Sequence, residues 1–153
     1  MLVEIRIIAL LVFALTSLTV AAAESPSGAD PSLTCATALH KTASDRCQKE
    51  TESGAATAGA YAACMRRADE ALGRELTQAY QRRIEASSPP QRDSLRQSQR
   101  AWLGHMKANC TYEKAVGQIE GPSFAFSFEA DCLVRHTAVR ICELRAFDEY
   151  FKR

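Results

Sequence analysis

Between residues 58 and 86 the apolar side chains recur every three or four positions, as Tyr61, Met65, Ala68, Leu72, Leu76, Tyr80 and Ile84. That spacing gathers them on one face of an α-helix and predicts a long helix from about Ala58 to Ala86, with Thr57 as its N-cap. Gly73 sits inside it at a cost of about 1 kcal/mol relative to alanine. A second stripe, Leu95, Gln99, Trp102, Met106 and Cys110, follows Ser88-Pro89-Pro90-Gln91. There Ser88 caps, the prolines fit a first helical turn, and Gln91 completes a capping box. Gly117 to Ser123, with Gly121-Pro122, breaks the pattern. A third helix then spans about Phe126 to Phe151, with Phe128, Cys132, Val139, Cys142 and Ala146 on one flank, widened by Leu133, Ile141, Leu144 and Phe147. Nothing alternates as a half-buried strand would. The pattern predicts an all-α, up-down-up three-helix bundle whose short connections make successive helices antiparallel neighbours.

The chain before this bundle reads differently. Ile7 to Val20 is an apolar run after Arg6, and Ala21-Ala22-Ala23 offers a small-x-small cleavage site. Residues 1–23 are therefore expected to be a cleaved signal peptide; the run falls short of the ~20 apolar residues of a spanning helix. The cysteine nearest the cut is Cys35, so no lipid anchor is expected and the mature protein should be periplasmic or secreted, without stable membrane insertion. Residues 24–56 read as a flexible tail, marked by Ser25, Pro26, Gly28 and Pro31, followed by a short cysteine-bearing helical leader. Residues 57–151 form the predicted helical domain, and the chain is long enough for one domain but not two.

The formal net charge is +1, which gives no long-range pull toward nucleic acid or an anionic membrane. Six cysteines in an exported chain, Cys35, Cys47, Cys64, Cys110, Cys132 and Cys142, read as a disulfide framework. Helix geometry places Cys64, Cys110 and Cys132 at one end of an antiparallel bundle. Cys110–Cys132, closing the glycine-containing connection, is the first expected bridge; Cys64 then takes Cys47 or Cys35, and Cys142 the one left over. There is no Cys-x-x-Cys redox pair and no zinc-type spacing, and His40, His105 and His136 are scattered, so no metal or other cofactor is expected. Glu113, Glu120 and Asp131 are possible acids and His105 or His136 possible bases, but no spacing aligns them, and the chain does not read as an enzyme.

Several fragments taken together resemble a known family. Thr57 precedes Cys64; Gly73-Arg-Glu-Leu76-Thr77-Gln-Ala-Tyr80 stands where the family has Asp-x-x-Leu-Asn-x-x-Tyr; Ser98-Gln99-Arg100-Ala101-Trp102 leads to Cys110; and Cys132-Leu133, Thr137 and Arg140 follow. From about Thr57 to Leu144 the chain resembles the LprI-type lysozyme-inhibitor family, departing from it at Gly73 and Thr77. The resemblance implies an exported protein that binds lysozyme and shields peptidoglycan. It marks Gln99, Thr137 and Arg140 as a polar cluster between helices, with Glu75, Asp69 or the Thr77 hydroxyl as candidate partners for Arg140, and Trp102 as a core anchor. An inhibitor has to plug a cleft that holds two carboxyl groups. The candidate contact is the segment Gly117 to Phe124: Ser123 to donate to a carboxylate, Phe124 to pack on the rim, and Glu120 to pair with a basic surface. The alternative is a non-catalytic envelope adaptor that binds an endogenous periplasmic partner. The oligomeric state is not legible.

Overall fold

The computed structural model describes residues 30–52 and 57–150. The expected signal peptide at 1–23, the tail up to residue 29 and most of the break before Thr57 lie outside them. The described chain is all-helical, with α1 at Pro31–Glu52, α2 at Ala58–Glu85, α3 at Pro89–Gly117 and α4 at Pro122–Tyr150. The three-helix expectation is thus corrected to four. The cysteine-bearing leader is a helix of 22 residues that packs on α4 and more lightly on α2.

Local signals account for the boundaries. The Thr57 hydroxyl accepts a hydrogen bond from the Ala60 N–H at 3.1 Å and opens α2. The Gln91 side chain accepts from the Ser88 N–H at 2.8 Å and opens α3. The last helix begins at Pro122, four residues before the expected Phe126: proline tolerates the first helical turn, where its missing N–H has no acceptor to lose.

The centre of the molecule is α4, against which all three other helices pack. Its apolar residues accordingly surround the axis rather than forming one stripe, and Ala130, Cys132, Val134, Ala138, Ile141, Cys142 and Leu144 are all buried. α2 runs parallel to α4: the Ser127 hydroxyl donates to the Ala58 carbonyl at 2.7 Å, and Arg145 pairs with Glu75 at 2.8 Å further along. Met65, Ala68, Leu72 and Leu76 form the α2 side of the core. α3 runs antiparallel to α4, but it packs on α4 and stands off α2, so the expectation that α2 and α3 are packed neighbours is corrected. Trp102 and Leu95 are half-buried against the edge of the core.

Three disulfides join the helices, Cys35–Cys142, Cys47–Cys64 and Cys110–Cys132, with Cα separations of 5.9, 5.5 and 5.5 Å. Two of them attach α1, one near each of its ends.

Candidate functional site

The α3–α4 connection is a tight turn rather than a loop. Gly117 ends α3, residues 118–121 turn, and Ser123 and Phe124 already belong to the first turn of α4. Two glycines make this possible. Gly121 takes φ of +119°, open to glycine and strained for other residues. Gly117 is buried against the next helix: a Cβ there would lie 2.9 Å from the Ala125 Cα and 3.0 Å from the Phe124 carbonyl oxygen. Cys110–Cys132 clamps the two helices below the turn, and Lys114 pairs with Glu129 at 2.8 Å between them. The Lys114 ammonium also sits 4.8 Å from the centre of the Phe126 ring, with the Arg66 guanidinium 5.5 Å from it.

This braced end carries exposed apolar side chains. Ile119 is 83 % exposed and Phe124 48 %, with Val116 and Phe128 also exposed nearby in the chain. Glu120 and Ser123 are exposed as well. The candidate contact residues Glu120, Ser123 and Phe124 therefore stand within one helical turn of each other, although only Glu120 lies in the turn itself. Ile119 was not singled out by the sequence; its apolar character inside a polar turn was the available signal.

The cluster expected around Arg140 divides into two ties that leave α4 in different directions. The Thr137 hydroxyl donates to Asp69 of α2 at 2.8 Å. Arg140, buried, reaches α3 instead: its Nε donates to the Gln99 side-chain oxygen at 3.0 Å and one terminal nitrogen to Ser98 at 3.1 Å, while the other stays on α4 and donates to Glu143 at 2.9 Å. The three partners proposed for Arg140 are thus corrected. Asp69 serves Thr137, Glu75 serves Arg145, and the Thr77 hydroxyl donates to the Gly73 carbonyl. Burial pushes the Asp69 carboxyl above the ordinary carboxylate range, against the pull of the Thr137 hydrogen bond.

Two further polar groupings were not legible in sequence, because their members are far apart in the chain. Asp131 Oδ1 meets His40 Nε2 of α1 at 3.0 Å and the Tyr61 hydroxyl of α2 at 3.4 Å, and Tyr61 in turn meets Ser44 at 3.1 Å. Burial raises the Tyr61 phenol above its usual value. On the α3 side, Glu113 accepts two bonds from Arg135, at 2.7 and 2.9 Å, and one from Asn109, which also meets His136 at 3.1 Å. Burial, reinforced by Arg135, holds the His136 imidazole below its usual value. His136 lies close to Cys110 and Cys132, the three potential ligand atoms falling within 4.8 Å of one another. The two sulfurs are bonded to each other, however, and offer no thiolate to a metal ion. These groupings tie α4 to its neighbours.

A small helical module, cross-linked by disulfides and presenting a braced apolar tip, is the class of object the fold defines. The family model described as lysozyme inhibitor LprI matches residues 47–144, more than half of the chain. The chain belongs to this lysozyme-inhibitor family. The match starts at Cys47, ten residues ahead of the resemblance read from the motifs, and it takes in five of the six cysteines while leaving out Cys35. No curated protein and no solved structure matches the chain.

Proposed function

We propose that this protein is exported, binds lysozyme and blocks hydrolysis of peptidoglycan, with the α3–α4 turn as its contact. The observation that carries the reading is membership of the lysozyme-inhibitor family over residues 47–144. Three disulfides support export, since such bridges persist in oxidising compartments. So does the apolar segment ending at Ala23.

The tip suits a cleft-plugging role on physical grounds. Its backbone is fixed by Gly117 packing, by the Cys110–Cys132 bridge and by the Lys114–Glu129 pair, so little conformational entropy remains to be lost on binding. Ile119 and Phe124 supply apolar area at the point of contact. Ser123 is the hydrogen-bond donor for an acidic cleft, and Glu120 faces the cationic rim of a basic enzyme.

The test is a turbidity assay in which oxidised protein is added to lysozyme acting on a peptidoglycan suspension. Dose-dependent inhibition is expected, with loss on reduction and a weakening of at least about tenfold in an Ile119→Ala/Phe124→Ala variant, since each buried apolar anchor is worth on the order of 1–2 kcal/mol. Inhibition that survives this double substitution would move the contact elsewhere on the molecule. No inhibition at large molar excess, across several lysozyme classes, would overturn the reading and leave the envelope adaptor.

A further inference from the structure

Away from the tip, a groove of about 290 Å³ lies between α2 and α3. It exists because α3 packs on α4 and stands off α2. The α2 side chains that would otherwise fill it are short. A Cβ at Gly73 would meet nothing within 4 Å, and the Thr77 hydroxyl turns back to the Gly73 carbonyl at 2.9 Å. Trp102, Leu103 and Met106 of α3 face Leu76 and Tyr80 of α2 across the groove, and Asp69 and Thr137 also line it.

We propose that this groove binds a small aliphatic ammonium ion, its hydrocarbon chain lying along Trp102, Leu103 and Met106 and its charged end meeting Asp69. The lining is mostly apolar, which suits the chain. Among the described residues, no Lys, Arg or His lines the groove, whereas Asp69 contributes a carboxylate with one oxygen free of hydrogen bonds within the protein. Arg140 lies behind Gln99 and is already met by Glu143, so it does not serve as counter-ion to Asp69. Tyr80 and Trp102 add aromatic surface, which attracts cations where water is partly excluded. The size matches a small molecule: ligand sites start at roughly 300 Å³, and a docking helix is about 10 Å across. Burial already penalises the Asp69 carboxylate, and the neighbouring Glu70 charge acts in the same direction; an arriving cation relieves both. The site stands independently of lysozyme binding.

Trp102 is the single tryptophan of the chain, so intrinsic fluorescence reads the groove directly. The oxidised protein would be titrated at neutral pH with n-hexylammonium, 1-hexanol and hexanoate, which share a chain and differ in charge. A saturable change is expected with hexylammonium, about tenfold tighter than with hexanol, and none with hexanoate. Asp69→Asn should bring amine and alcohol to equal affinity. Gly73→Met, whose side chain grows into open groove space, should abolish the signal while leaving the circular dichroism spectrum unchanged. Equal binding of amine and alcohol by the unsubstituted protein would overturn the proposal. So would amine binding that survives Gly73→Met, or the absence of any saturable change.

Discussion

Two glycines inside helices should respond to the same substitution with opposite signs. At Gly73 a Cβ meets nothing within 4 Å, so Gly73→Ala adds only helix propensity and should stabilise the protein by about 0.5–1 kcal/mol. At Gly117 the added Cβ would lie 2.9 Å from the Ala125 Cα and 3.1 Å from the Ala125 nitrogen. Both atoms are backbone of the first turn of α4, and the Cys110–Cys132 bridge a few residues away hinders the two helices from parting. Relief requires a displacement of half an ångström or more in a packed interface, and overpacking of this kind costs about 1–3 kcal/mol. The propensity gain is smaller at the last residue of a helix, so Gly117→Ala should be net destabilising by about 1–2 kcal/mol. The two variants should therefore differ by about 1.5–3 kcal/mol. Guanidinium unfolding under non-reducing conditions, followed by far-ultraviolet circular dichroism, would show this as midpoints moving in opposite directions at constant slope. A Gly117→Ala protein as stable as the parent would refute the reasoning, because it would mean that α4 does not depend on close approach at this point.

Arg140→Met removes three hydrogen bonds from a buried guanidinium; since Glu143 is partly solvated, the loss should be about 2–3 kcal/mol in the same unfolding assay. Arg140→Lys keeps the charge without the planar fork and should fall between the two. Replacing Cys35 and Cys142 together by serine opens a bridge spanning 107 residues, against 22 for Cys110–Cys132 and 17 for Cys47–Cys64. Chain entropy makes the first the costliest loss, about 4–5 kcal/mol against about 3 for the shorter loops, as unfolding midpoints of the three pairwise variants would show. Two groups should bend the pH dependence of stability in opposite senses. Asp69 is held above its ordinary 3.8 by burial, so its contribution is present at low pH and is lost as pH rises through the folded value; Asp69→Asn should remove that limb from urea midpoints measured across pH. His136 is held below 6.5 by burial, so its contribution is lost as pH falls from that value toward the depressed one, and His136→Gln should flatten this second limb.

The starts of α2 and α3 were legible because each depends on local chemistry. Thr57 and the Ser88/Gln91 box act on N–H groups one turn away, and the α2 stripe from Met65 to Leu76 carries a single face. α1 read as a leader because its buried face is slight: Ala36, Ala43 and Cys47 are its fully buried side chains, and such small residues give little periodic signal. α4 began earlier than expected because Gly121-Pro122 reads equally as a break and as a helix start. The partners of Thr137 and Arg140 were not legible. One turn of α4 separates these residues, and only the placement of α2 and α3 on different sides of it sends Thr137 to Asp69 and Arg140 to Gln99. The α3–α4 connection was legible as a break and not as a shape, since nothing local announces that Gly117 must admit Ala125. The α2–α3 groove was out of reach for a related reason: the missing aspartate and asparagine were visible at Gly73 and Thr77, whereas the stand-off that turns short side chains into open space is a property of the assembled bundle.

α1 has few large side chains with which to hold itself in place, and it is fastened by sulfur near both ends. Where thiols stay reduced, α1 is left with two buried alanines, the buried Cys47 thiol, a half-buried Leu39 and the His40–Asp131 and Ser44–Tyr61 ties to set against the entropy of ordering 22 residues. The four-helix form is then a product of oxidation as much as of sequence. A chain retained among reducing agents would display the bare flank of α2 and α4, a state that chaperones and proteases can distinguish from the finished molecule. Completion of the fold thereby depends on an oxidant as well as on the chain.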